Sequence, residues 1–173
     1  MQAAVPIVVV NDASCLIDLR KAHLLHLLVR LPYRFVVPLP VRASELLDFT
    51  PQEWAVLDGG GMGTFDLPPE RVAEAFALKA MHPKLSANDC FCLVTTRCHQ
   101  NAILLTGDAL LRRIAGEDGG RVYGVLWVVD ELLRLALCGH DALMAAMKIW
   151  QSDPAVFLPT TEIERRLNAL QDV

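Results

Sequence analysis

Val5-Pro6-Ile7-Val8-Val9-Val10-Asn11-Asp12 begins as an aliphatic run rich in β-branched residues and stops at two polar ones. A short apolar run without alternation is the pattern of a strand covered on both faces, as in a parallel sheet. The pattern returns at Ala102 to Leu105, closed by Thr106-Gly107-Asp108. A shorter version, Arg34 to Val37, stops at Pro38 and Pro40, and Gly63 to Leu67 and Arg121 to Leu126 supply two further candidate strands.

Helical spacing fills the intervals. Ala13 to Val29 carries Leu16, Leu19, Leu24, Leu27 and Leu28 on one face, with a break expected near Arg20-Lys21. Pro40 suits the first turn of a helix through Val41 to Leu47. Thr50-Pro51-Gln52-Glu53 is a capping box opening a helix to Asp58, and Pro68-Pro69 opens another through Met81. Ser86, with Asp89 three residues on, predicts a capped helix from Ala87 to about His99. Ala109 to Ala115, Trp127 to Leu137, Asp141 to Trp150 and Thr160 to Leu170 complete the set. Strands alternating with helices specify an α/β domain with a largely parallel sheet. The chain reads as one domain over 1–173, with residues 138–173 a helical C-terminal extension.

Of the 173 residues, 53% are hydrophobic and 21% charged, which provides a core and excludes a disordered chain. The net charge of −4 gives no global basic field to attract nucleic acid. The five cysteines read as reduced thiols, and Cys90, Cys92, Cys98 and His99 lack the paired spacing of a zinc site. No basic leader and no apolar stretch long enough to span a bilayer is visible, so the expectation is a soluble, cytoplasmic protein with no membrane partner.

In an open α/β sheet, ligands bind beyond the carboxyl ends of the strands. Asp12 and Asp108 each lie just past such an end, and Glu45 and Asp89 are expected within the first turns of adjacent helices. Carboxylates gathered together repel each other unless a cation intervenes. Mg²⁺ or Mn²⁺ takes carboxylate oxygens and activates water for phosphodiester cleavage. Each acid also has a purely structural reading. Asp12 and Asp108 suit helix N-caps, Asp89 suits the positive end of a helix dipole, and Glu45 suits a solvated helix face.

The segments Val9-Val10-Asn11-Asp12-Ala13-Ser14-Cys15-Leu16-Ile17, Val41-Arg42-Ala43-Ser44-Glu45-Leu46, Leu85-Ser86-Ala87-Asn88-Asp89-Cys90-Phe91-Cys92-Leu93 and Ile103-Leu104-Leu105-Thr106-Gly107-Asp108-Ala109-Leu110-Leu111 resemble, in order and spacing, the PIN-domain family. They are most similar to its VapC-like toxin ribonucleases. The resemblance implies a three-layer α/β/α fold and an Mg²⁺ or Mn²⁺ site formed by Asp12, Glu45, Asp89 and Asp108, with Ser14 and Thr106 supporting the acids. It implies endonucleolytic cleavage of RNA, a homodimer and an antitoxin partner. Two departures stand out. Leu111, Arg112 and Arg113 stand where some family members carry a further acid a few residues after the position of Asp108, and the tail from Cys138 is longer than in many such toxins.

An RNA substrate requires cationic contacts to phosphate. Arg112 and Arg113, directly after Asp108, and Arg42, three residues before Glu45, are the candidates, each with a solvated-surface alternative. No basic stripe interleaved with aromatics marks a base-stacking surface. A non-catalytic RNA- or protein-binding module is the alternative function. Other acidic phosphotransfer folds fit poorly, because Ser14 stands where a haloacid-dehalogenase-like site needs a second Asp, and Asn11-Asp12 is half of a receiver's acidic pair. Gly59-Gly60-Gly61-Met62-Gly63-Thr64 lacks the lysine of a P-loop.

Overall fold

The computed structural model describes residues 6–171; Val5, read from sequence as part of the first strand, lies outside them. Five parallel strands, β1 (Val8–Asn11), β2 (Arg34–Pro38), β3 (Gly63–Phe65), β4 (Ile103–Leu105) and β5 (Arg121–Tyr123), form one sheet in the order β3-β2-β1-β4-β5. Val9 pairs with Phe35 on one side and Ile103 on the other. Val9, Val10, Leu104 and Leu105 are wholly buried, which explains why their runs show no alternation.

Helices cover both faces, giving three layers, α/β/α. On one side lie α1 (Ala13–Lys21), α2 (Leu25–Leu28) and α4 (Pro51–Gly59), joined by α8 (Val125–Arg134) and α9 (His140–Ser152). On the other, α6 (Ala87–Arg97) packs on β1, β2 and β4, flanked by α5 (Pro69–Met81) and α7 (Ala109–Glu117). The remaining helices are α3 (Leu39–Ser44) and α10 (Thr160–Gln171). Right-handed crossovers dictate this division. The chain moves outward from β1 through β2 to β3, then returns past β1 to β4 and β5, so its helices change faces. That return makes the junction between β1 and β4 the topological switch point.

Trp150 anchors the C-terminal helices. Its ring is buried and its indole N–H donates to the Asp18 carbonyl at 2.7 Å, holding α9 against α1. Among the described residues, no helix is long and apolar enough to cross a membrane.

Several boundaries differ from the sequence reading. The long first helix breaks at Ala22–Leu24, slightly after Arg20-Lys21. His23 adopts a left-handed φ of 58°, and the Leu24 N–H returns to the Leu19 carbonyl at 2.9 Å, a Schellman-type ending. The last strand ends at Tyr123 instead of Leu126. Gly124 caps α8, and burial of Val125, Val128, Val129 and Leu132 follows the helical period. The helix expected over Val41 to Leu47 is α3, which ends at Ser44; Glu45 is its C-cap, and Leu46 turns into the core.

Candidate active site

Asp12 is the first residue beyond β1. Its backbone N–H donates to the Leu105 carbonyl at 3.0 Å, tying it to β4 at the switch point. Its backbone is extended, and Oδ1 accepts the Ala13 N–H at 2.7 Å, so the residue N-caps α1. Oδ2 accepts two hydroxyls, Ser14 Oγ at 2.8 Å and Thr106 Oγ1 at 2.7 Å. Each hydroxyl is oriented from behind: Ser14 Oγ accepts the Gly107 N–H at 2.9 Å, and Thr106 Oγ1 accepts the Asp108 N–H at 3.1 Å. The chain between β4 and α7 therefore orients a carboxylate nearly a hundred residues upstream. The fit is close, since a Cβ at position 107 would stand 3.4 Å from Ser14 Oγ.

Glu45 reaches the same rim from the end of α3. Its Oε1 accepts the Asn88 side-chain amide at 2.7 Å, and the same Nδ2 donates to Ser44 Oγ at 2.9 Å. Asp89 belongs to the capping box of α6, its Oδ2 accepting the Ser86 N–H at 2.7 Å while Ser86 Oγ accepts the Asp89 N–H at 3.0 Å. Adjacent residues of α6 thus supply one acid and position another.

Two of these acids feel the charge of their neighbours. Burial pushes the Asp12 carboxyl above its ordinary value, opposed by the Thr106 and Ser14 hydroxyls and reinforced by Asp89. Partial burial raises Glu45; Asn88 opposes this, and Asp12 and Asp89 add to it. The buried Cys92 thiol is raised by desolvation and then by the charges of Asp12, Asp89 and Glu45. Among the described residues no lysine, arginine or histidine forms an ion pair with Asp12, Glu45, Asp89 or Asp108, whereas Glu53, Asp58, Glu74, Asp130 and Glu131 all have arginine partners.

Asp108 follows a different pattern. Its Oδ1 accepts the Leu111 N–H at 2.7 Å, making it the N-cap of α7, and it joins the network through its backbone N–H to Thr106. The structural readings of Asp12, Asp89 and Asp108 as caps are thus realised, and the remaining oxygen of Asp89 and of Asp108 has no hydrogen-bond partner among the described residues.

Hard carboxylate oxygens without a cationic neighbour are the donor chemistry that suits Mg²⁺ or Mn²⁺. Among the described residues, however, no three of His, Cys, Asp or Glu stand close enough together to form a ready-made metal site. The acids converge in field and donor type, and a cation would have to draw their side chains inward.

The arginines separate clearly. Arg42 is already engaged: it forms a two-pronged pair with Asp58 at 2.8 and 2.7 Å, donates to Thr64 and lies 3.8 Å above the Trp54 ring. A phosphate contact from Arg42, the role considered for it from sequence, would compete with Asp58 and Thr64. Arg113 extends from α7 toward Glu117 at 3.9 Å, both well exposed. Arg112 has no acidic partner among the described ion pairs and lies against the Gly124 backbone, where a Cβ would meet its Nη1 at 2.7 Å.

Two polar residues at the rim escaped the sequence reading. Asn88 positions Glu45. Asn11 is wholly buried, its Nδ2 donating to the Val9 and Val36 carbonyls at 3.1 and 3.0 Å and so joining β1 to β2. The only signal for either was an amide beside a candidate acid.

No curated protein matches the chain. A family model described as a PIN domain matches residues 8–171, and this span includes all four acids. On that match the fold is a nuclease fold, and the chain belongs to the PIN-domain family.

Proposed function

We propose that this protein is an Mg²⁺- or Mn²⁺-dependent endoribonuclease. The observation that carries the reading is the group of Asp12, Glu45 and Asp89 at the switch point, three acids whose ionised forms repel one another and which have no cationic partner among the described residues. A divalent ion there would neutralise that repulsion and supply Lewis-acid activation at a phosphodiester. Asp12, Glu45 and Asp89 would hold it, with Asp108 contributing its unbonded oxygen. Ser14 and Thr106 fix the Asp12 carboxylate by donating to Oδ2, and Asn88 fixes Glu45. Such outer hydrogen bonds restrict the rotation of ligands that must otherwise be ordered on binding. Arg112 and Arg113 flank the acids on α7, and we assign Arg112 the phosphate contact.

A second reading, a non-catalytic RNA- or protein-binding module, has one observation on its side: among the described residues no three acids stand at metal-binding distance. Calorimetry with Mn²⁺, followed by cleavage assays on varied RNAs, separates the two. The nuclease reading requires Mn²⁺ binding and cleavage by the wild-type chain, both lost in Asp12→Asn and Asp89→Asn. Equal inertness of all three chains would favour the binding module. We extend the nuclease reading to the toxin of a toxin–antitoxin pair, acting as a homodimer. A short neighbouring gene encoding a DNA-binding domain with a disordered tail would support that role.

A further inference from the structure

Beside the acids, β5 and α8 build a feature that the metal chemistry leaves unused. The Tyr123 ring stacks on Trp127 with centroids 5.2 Å apart and planes 10° from parallel. Trp127 rests in turn on Tyr33 at 5.3 Å, and the Tyr33 hydroxyl donates to Glu131 Oε2 at 2.5 Å. Glu131 is held by Arg134 through two further hydrogen bonds. Three rings in series, locked at the far end by a charged hydrogen bond, form a rigid platform, while Tyr123 at the near end keeps 36% of its surface exposed.

Tyr123 and Trp127 line a cavity of about 390 Å³ together with Arg112, Arg166 and the two acids Asp130 and Glu162. That volume falls within the range of small-ligand sites. A second cavity of about 290 Å³ shares Arg112, Gly124 and Leu158 with the first and reaches Ser14 and Gly107, which support Asp12. The backbone makes the same link, since the Thr106 N–H donates to the Tyr123 carbonyl at 3.0 Å. Charge on the path is uneven. Arg166 is engaged by Asp130 and Glu162, leaving Arg112 between the two cavities without an acidic partner among the described ion pairs.

We propose that Tyr123, backed by Trp127 and Tyr33, is a stacking platform for one unpaired nucleobase of the RNA strand, with Arg112 contacting the phosphate between that base and the acidic rim. The proposal rests on the ribonuclease reading above and adds a subsite to it. A flat aromatic face accepts any base, so the platform favours single-stranded over paired RNA without selecting a sequence. The fixed ladder means that little side-chain entropy is lost on binding.

The test uses unstructured RNA decanucleotides carrying 2-aminopurine at successive positions. They are titrated into the intact chain in EDTA and into the Asp12→Asn chain with Mn²⁺. Binding should quench the fluorescence at one position. Tyr123→Ala should abolish that quenching and weaken affinity roughly 5- to 150-fold, the span expected for loss of one base–aromatic stack. Tyr123→Phe should retain both. Binding that leaves every position bright, or affinity and quenching unchanged in Tyr123→Ala, overturns the platform and leaves the ribonuclease reading standing. No RNA binding under either condition overturns the ribonuclease reading and the platform with it.

Discussion

Thr106 Oγ1 lies 2.7 Å from Oδ2 of Asp12 and joins the ends of β4 and β1 through side chains, where their backbones are already paired. The hydroxyl accepts the Asp108 N–H and donates to a buried carboxylate. Thr106→Val keeps the shape and removes both functions. The loss should cost about 1–3 kcal/mol in urea denaturation, because the buried Asp12 Oδ2 keeps only the Ser14 hydroxyl and the part-buried Asp108 N–H loses its acceptor. Thr106 also holds the Asp12 carboxyl down against the effect of burial. Without it that carboxyl rises further, so the acidic limb of the cleavage pH profile should move to higher pH. A profile that does not move would separate Thr106 from the site.

Divalent cations should stabilise the fold through Asp12, Glu45 and Asp89. A ligand at a hundred times its Kd adds about 2.7 kcal/mol, or roughly 5–10 °C in melting temperature for a chain of this size. Mn²⁺ should produce this shift in the wild-type chain and little in Asp12→Asn, as read by scanning calorimetry against EDTA. Equal shifts in both chains would place the cation elsewhere.

Asp18 supplies a pH effect independent of the acidic rim. Burial lifts its carboxyl from 3.8 to about 6; Lys21 opposes the rise and Asp153 adds to it. The folded chain therefore holds this proton more tightly than the unfolded chain. The resulting stabilisation is present below pH 3.8 and is lost as pH rises through about 6. Asp18→Asn should melt higher than wild type at pH 7, and its advantage should shrink toward pH 4. A difference that is constant with pH would assign the effect to packing.

Arg42 and Arg112 should behave oppositely in RNA binding. Arg112→Ala should reduce the slope of log affinity against log salt by about 0.7, the value for one phosphate contact on a single strand. Arg42→Ala should leave the slope unchanged and lower stability modestly, because its guanidinium serves Asp58 and Trp54. Reversed behaviour of the two variants would return the phosphate contact to Arg42.

Trp150 tests how firmly the C-terminal helices are attached. Trp150→Phe keeps a large ring and removes the indole donor, leaving the Asp18 carbonyl only the Ala22 N–H at 3.2 Å. The cost should be about 0.5–1.5 kcal/mol, measured as a lower urea midpoint with an unchanged m-value. A lower m-value would indicate that α9 and α10 detach separately.

The class of fold was readable from the order of residues alone. Apolar runs such as Val8 to Val10 and Ile103 to Leu105 show no alternation because both faces of a parallel strand are buried, and that demand is written in every residue of the run. The capping box at Ser86 and the cap at Asp108 were equally legible, because a cap needs only neighbours within a few residues. Tertiary structure decided what depended on distant partners. It engaged Arg42 with Asp58, set Asn88 against Glu45, drew Thr106 to Asp12, and stacked Tyr123, Trp127 and Tyr33 from three separate segments. It also moved the end of the last strand, because Val125 and Leu126 suit strand and helix alike until the packing of α8 selects a period. Local structure follows from short-range sterics and hydrogen bonds, whereas a site assembled across the sheet rim exists only once the crossovers bring its parts together.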